Sequence, residues 1–267
     1  MPEKKLEEGS EQKRRWAAFW TRGRPLDEIY DNDDRIVEET LRTTPVEGWL
    51  ILEVGAATAR DSVSLSSHGA TAVALDYVPE ALALARQAAT SAGSPLLLVC
   101  GDAESLPFAD GVFDMVFHQG VLEHFRDPGR LVSENARVLR DDGVLLVDVP
   151  QTFHVYTLLK KPLIALGRWF AGWETQFTRG GLERLLSDSG LMPFRAYGRF
   201  FSPSLAYRVL REALMRLGVR LPLRPVILPP LHRLRRSLRT GVERRLGPRL
   251  GYVLGVFARK QHGTGGT

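Results

Sequence analysis

From Trp49 onward, short apolar runs alternate with longer stretches of helical period. The runs WLILEV, TAVALD, LLLVC, FDMVFH and GVLLVDV are rich in valine and leucine and nearly continuous in hydrophobicity, as expected of strands buried on both faces of a parallel sheet. Between them, helical patterns near Ala59–Ser67, Pro79–Ala92 and Pro128–Leu139 are long enough for right-handed crossovers. After Pro150 the pattern changes to FHVYTLLKKPLIALGRWFAGW, apolar and aromatic but broken by Lys160, Lys161 and Pro162, which predicts an inserted lid. A helix is expected over Thr178–Ser189 with Gly190 as its stop, then strands at Pro193–Phe200 and in GYVLGVFARK. The predicted fold is α/β: a doubly wound, Rossmann-like, seven-stranded, mostly parallel sheet with helices on both faces, a helical lid and a basic helical insertion. The segments are a helical cap over 1–44 with its first 15 residues disordered, a core over 45–150, a lid over 151–177, the rest of the sheet over 178–260 with the insertion at 202–248, and a disordered tail over 261–267.

Composition adds constraints. The 44% hydrophobic and 25% charged content of the 267 residues is that of a folded globular chain. The charged N-terminus lacks the apolar stretch of a secretory signal, and Cys100 is the single cysteine, so no intrachain disulfide forms. These features predict a cytoplasmic location. Charge is uneven: between Arg199 and Lys260 fourteen arginines and one lysine face only Glu212 and Glu243, which suggests an anionic neighbour such as lipid headgroups or nucleic acid. Within that stretch, Leu205, Val209, Leu210, Ala213, Leu214 and Leu217 fall on one helical face, and Leu231, Leu234, Leu238, Val242 and Leu246 on another. Such faces either pack on the protein's own sheet or lie in a lipid interface, peripheral to an anionic membrane.

The first strand ends in Glu53-Val54-Gly55-Ala56-Ala57-Thr58-Ala59, an acid and a turn of small residues leading into a helix. Gly55 turns without a Cβ penalty, and small neighbours let a ligand approach the backbone. Asp76 closes the second strand, where an acid in doubly wound nucleotide folds accepts hydrogen bonds from ribose hydroxyls. Gly101-Asp102-Ala103 closes the third, where the carboxylate either reads an adenine edge or caps a turn.

Taken in order, LEVGAATAR, ALDYVPEALALAR, GDAESLPFADGVFDMVFHQGVLEHFRDP and ARVLRDDGVLLVDVP resemble class I S-adenosylmethionine-dependent methyltransferases, in particular the small-molecule, type 11-like branch. The resemblance is close over Trp49–Pro150 and looser over WETQFTRGGLERLLSDSGL. It implies S-adenosylmethionine as cofactor, held by Glu53, Gly55, Ala57, Asp76, Tyr77, Asp102, Ala103 and Gln119, with Gln119 to Val121 lining the methyl-donor pocket. Where the family carries acid-x-Gly-x-Gly-x-Gly, this chain has Ala57 and Ala59, each a strain if its φ is positive. A nicotinamide dehydrogenase is the nearest competitor, and the GDAESLPF and VLEHF segments argue against it.

Methyl transfer from a sulfonium is an in-line displacement that needs alignment first and a base only for some acceptors. His118, His124 and His154 are the candidate bases, with His124 in VLEHF ranked first as the catalytic residue, against a packing role for the same ring. No metal spacing, phosphate loop or nucleophile elbow is present, and Asp141-Asp142-Gly143 reads as a helix-to-strand turn. The expected activity is methyl transfer to a small-molecule or lipid-like acceptor. The alternatives are a nucleic-acid methyltransferase, for which the arginine-rich stretch speaks, and a cofactor-binding protein that has lost catalysis, raised by Ala57 and Ala59.

Overall fold

A computed structural model describes residues 2–21, 34–169, 171–201, 203–219, 221–222 and 229–262, without the side chains of 2–11, 212, 216 and 229–238. The chain runs α1 (Pro2–Thr21), α2 (Arg35–Thr43), β1 (Leu50–Val54), α3 (Arg60–Ser66), β2 (Thr71–Asp76), α4 (Pro79–Ser91), β3 (Leu97–Cys100) and β4 (Phe113–Gln119). It continues through α5 (Pro128–Val138), β5 (Leu139–Pro150), α6 (Val155–Ala165), α7 (Arg179–Asp188), β6 (Leu191–Arg199), α8 (Leu205–Arg216), α9 (Pro229–Leu250) and β7 (Val253–Lys260). The strands form one sheet in the order β3-β2-β1-β4-β5-β7-β6, parallel except for β7, which runs antiparallel to both neighbours. This is the doubly wound sheet expected. The order reverses between β1 and β4, where such folds place their ligands at the carboxyl ends of the strands.

The central strands are apolar throughout because both faces are covered. On one face Leu52, Val54, Val116, Leu145 and Val147 pack under α5 and α7, and on the other Ile51, Met115, Phe117 and Leu146 meet Ile36 of α2 and Leu65 of α3. α4 packs on β2 through a small-residue cluster that includes Ala59, Ala74 and Ala85.

One polar connection crosses this interior. Arg35 of α2 donates to both carboxylate oxygens of Asp148 on β5, at 3.2 Å from Nε and 2.9 Å from Nη2, with both side chains buried. Tyr197 of β6 donates to the same carboxylate at 2.7 Å, and Arg35 donates from Nη1 to the Tyr252 hydroxyl at 3.1 Å. The Tyr197 ring reaches Asp148 because Gly255 lies between them on β7, where any Cβ would overlap the ring.

Three expectations are corrected. Pro2–Thr21 is helical rather than disordered over its first 15 residues, with Trp16, Phe19 and Trp20 packed edge to face on its last turns. Asp141-Asp142-Gly143 is not a turn ahead of a strand but part of β5: the register shifts between Phe113 and Met115, Asp142 has φ 60°, and a Cβ at Gly143 would come within 2.8 Å of the Arg140 carbonyl. This is a bulge. In α9 the inward positions are Glu243 and Gly247, not the predicted apolar face: Gly247 lies backbone to backbone on Gly198 of β6, and Val242 and Leu246 are exposed. The side chains of Leu231, Leu234 and Leu238 of that expected face lie outside the described ones. Residues 263–267 of the expected disordered tail lie outside the described residues.

A buried guanidinium that loses its bidentate carboxylate is left with an uncompensated charge. Asp148→Ala should therefore lower the unfolding free energy by on the order of 3 kcal/mol or more in denaturant titration. A loss below about 1 kcal/mol would show that Arg35 is carried by its other partners.

Candidate cofactor and acceptor site

The turn after β1 is built from alternating left-handed residues: Gly55, Ala57 and Ala59 have φ of 64°, 50° and 52°. Gly55 is obligatory on two grounds, since its φ is positive and a Cβ would sit 2.5 Å from Val121 Cγ2 on the β4 side. At Ala57 and Ala59 the positive φ costs about 1 kcal/mol each relative to glycine. The cost at Ala59 is offset by its methyl, fully buried against Ala74 and Ala85. Ala57 is only partly covered, and its N–H donates to Asp76 Oδ2 at 2.8 Å.

Asp76 thus ties two strand ends together. Its other oxygen accepts from the Val78 N–H at 2.9 Å. Burial raises its pKa, and the N–H groups of Ala57, Val78 and Tyr77 oppose the rise. Glu53 lies beneath the turn, accepting from the Ser62 N–H at 3.1 Å and hydroxyl at 2.5 Å. Burial first, and then the Asp61 charge, push its pKa up to about 8 against those two bonds. Asp61 is raised to about 6 by burial, with Arg35 and Arg60 pulling it down. In both acids the dry surroundings are the main cause of the rise.

The remaining predicted residues surround the same strand ends. Tyr77 follows Asp76, and Lys13 of α1 lies over its ring, 5.9 Å from the centroid. Asp102 is exposed and accepts from the Glu104 N–H at 2.8 Å, the turn-capping role weighed from the sequence, beside the half-buried Ala103. Gln119 ends β4 opposite Asp148. An acid at the end of β2, a left-handed cradle that a Cβ at Gly55 would fill and an exposed acid after β3 make a set that fits an adenosyl donor.

The three histidines separate. His118 is wholly inside the core with neither ring nitrogen hydrogen-bonded, and burial drops its pKa to about 3, so it cannot meet an acceptor. His154 caps α6, its Nδ1 accepting from the Tyr156 N–H at 3.2 Å. His124 lies in the turn after β4 with Trp16 of α1 edge-on, 5.4 Å between ring centroids, and its buried Nδ1 has no hydrogen-bond partner among the described residues. Burial lowers its pKa, against the Glu174 charge and a hydrogen bond to the Trp173 backbone.

Sequence reasoning missed a second polar cluster beside His124. Glu123 is buried with its Oε2 lacking a partner among the described residues, and burial, followed by the Glu174 charge, lifts its carboxyl to about 8. Lys160 of α6 is paired with Glu174, and the Trp169 indole donates to Glu174 Oε1 at 2.5 Å. Glu123 was visible only as part of VLEHF, and Lys160 only as a break in an apolar pattern. Nothing in their spacing couples residues so far apart.

The comparisons agree with this geometry. A family model described as a methyltransferase domain matches residues 52–147. The phosphatidylethanolamine N-methyltransferase of Cereibacter sphaeroides is 31% identical over 176 residues, 61% of this chain and 82% of that protein. The chain belongs to the class I S-adenosylmethionine-dependent methyltransferases. A demethylmenaquinone methyltransferase of Mycolicibacterium vanbaalenii is 37% identical over 113 residues, 42% of this chain, and the match spans less than half of that relative, 46%. The magnesium protoporphyrin IX methyltransferase of Synechocystis PCC 6803, solved with bound S-adenosylhomocysteine, superposes with a TM-score of 0.57 at 16% identity over 93% of each chain. That likeness shows the fold.

The two alanines of the methyltransferase turn should respond differently to glycine. Ala57→Gly relieves strain and should stabilise the protein by about 0.5 to 1 kcal/mol. Ala59→Gly relieves the same strain but deletes a buried methyl worth about 0.8 kcal/mol, and should be near neutral. Chemical denaturation of the two variants measures both, and destabilisation by Ala57→Gly would show that alanine is the fitted residue there.

Proposed function

We propose that this methyltransferase transfers the methyl group of S-adenosylmethionine to a lipid-like small molecule that it meets at an anionic membrane surface. The observation that carries this reading is that α6 is inside out. Its buried positions are Thr157 and Lys160, whereas Val155, Leu158, Leu159 and Leu163 face outward, with Leu159 64% exposed. A helix in water hides its leucines and shows its lysines. The reverse arrangement suits a lid whose outer surface meets hydrocarbon.

The basic region supports the same reading. Along α8, Val209 and Leu210 are exposed between Arg208 and Arg211, and Leu217 just beyond the helix is 77% exposed. Those apolar positions are not used to pack the helix on the sheet. Lid and helix meet at Phe201, whose ring contacts Tyr156 of α6 at 5.3 Å between centroids and lies under the Arg208 guanidinium at 4.8 Å. Each arginine near an anionic surface adds about 1 kcal/mol, and each leucine moved out of water about 1.5 kcal/mol or more. No helix among the described residues is long and apolar enough to cross a membrane. The relative matched over 82% of its length carries the name of a lipid-modifying enzyme, which points the same way.

In this reading Asp76 holds the ribose, Asp102 and Ala103 face the adenine, and Glu53 braces the turn below the methionine portion. When bound, the donor supplies a methyl already activated by positively charged sulfur. The chain must align the acceptor with it and exclude water. Gln119 to Val121 line that place, and the neutral His124 is positioned to accept a proton where the acceptor has one to lose.

Flotation with vesicles and labelled donor tests the proposal. The protein should rise with anionic vesicles, less with neutral ones, and the association should weaken as salt increases. Label should enter the lipid fraction when the vesicles contain a suitable acceptor. Indifference to both vesicle types, with salt-sensitive binding to RNA, would overturn the lipid reading in favour of a nucleic-acid acceptor.

A further inference from the structure

The inward side of α6 carries a second message. Lys160 is buried, 4% exposed, and its ammonium is held by the Glu174 carboxylate. The same ammonium lies 5.6 Å from the centre of the Trp169 ring and 5.9 Å from that of Tyr156. Glu174 is itself fixed by the Trp169 indole N–H, which donates to the oxygen that Lys160 does not use. A carboxylate and two aromatic faces around one cation are how proteins receive an alkylammonium group.

A second carboxyl group stands beside the one that the resident cation uses. The Thr175 N–H donates to the Glu123 carbonyl at 2.8 Å, which fastens the Glu174 segment to the turn after β4. Glu123 therefore stands beside the pair with a buried oxygen that has no partner, and next to it His124 presents an unpartnered ring nitrogen. Unsatisfied buried polar atoms are costly, and their gathering at one place marks a site that a ligand completes. The charges of Glu174 and Lys160 both act on Glu123, so the three form one cluster.

We propose that Glu123 and Glu174, with Trp169 and Tyr156, form a binding site for the primary ammonium group of the methyl acceptor, a site that Lys160 fills while the lid is closed. The inference rests on the methyltransferase reading above and adds the chemical class of the acceptor. Movement of α6 toward a lipid surface withdraws Lys160 and opens the site to an ammonium headgroup. Lys160 is thus a tethered stand-in, and the headgroup must outcompete it.

Ethanolamine, which is an ammonium ion at neutral pH, is the probe, with ethylene glycol as its uncharged counterpart. Binding is followed by the indole resonance of Trp169 in the full-length protein, and S-adenosylhomocysteine binding is measured on the same samples. Lys160→Met keeps most of the side-chain stem and removes the charge, so ethanolamine should bind about tenfold more tightly than to the wild type while ethylene glycol does not bind. The double variant Lys160→Met with Glu174→Gln should lose that gain. Lys160→Arg keeps a cation in place and covers the case in which the methionine variant does not fold: ethanolamine should bind it no better than the wild type. Equal ethanolamine binding to wild type and Lys160→Met, gain unaffected by Glu174→Gln, or tighter binding to Lys160→Arg would overturn the inference. Failure of S-adenosylhomocysteine to bind the wild type would instead overturn the underlying methyltransferase reading, so the two failures are distinct.

Discussion

The hydrogen bond from the Ala57 N–H to the Asp76 carboxylate joins the two strand ends on which the cofactor site depends. For that N–H to point at β2, the backbone after β1 must alternate through left-handed conformations at residues 55, 57 and 59. Left-handed backbone suits glycine, yet two of the three positions are alanine. The structure accommodates them because Ala59 recovers part of its strain by burial, while Ala57 is held by the carboxylate it serves. Asp76 is thus a structural brace, and Glu53 braces the same turn from below through Ser62.

Much of the core was legible because its periodicity is unambiguous. Strands buried on both faces leave continuous apolar runs, and the acids at Glu53 and Asp76 sit at strand ends that those runs define. The strain at Ala57 and Ala59 was also readable, as a conditional statement that the observed φ values satisfy. The bulge in β5 was not legible. Asp-Asp-Gly is a turn sequence in most settings, and it falls within the strand because Leu139 before it and Val144 after it pair with Phe113 and Met115 of β4. Nor was the role of Arg35, whose partners on β5 and the Gly251–Tyr252 segment are brought together by tertiary packing alone.

The lid shows a deeper limit of pattern reading. An apolar stretch interrupted by Lys160 reads as a poor helix, since the expected arrangement puts lysine outside and leucine inside. The observed helix inverts both, with the ammonium enclosed by Glu174, Tyr156 and Trp169 and the leucines facing outward. In the same way α9 defeats a simple hydrophobic-face argument: a glycine-to-glycine contact with β6 and the Glu243 ion pairs with Arg199 and Arg239 anchor it instead.

The central claim is that the turn after β1 and the acid at the end of β2 hold an adenosyl donor. Calorimetric titration of the wild type and Asp76→Ala with S-adenosylhomocysteine tests it most directly. The account predicts binding by the wild type and a loss of about 1 to 3 kcal/mol in the variant, the cost of removing a charged hydrogen-bond acceptor. Absence of binding by the wild type, or an unchanged affinity in Asp76→Ala, would contradict it.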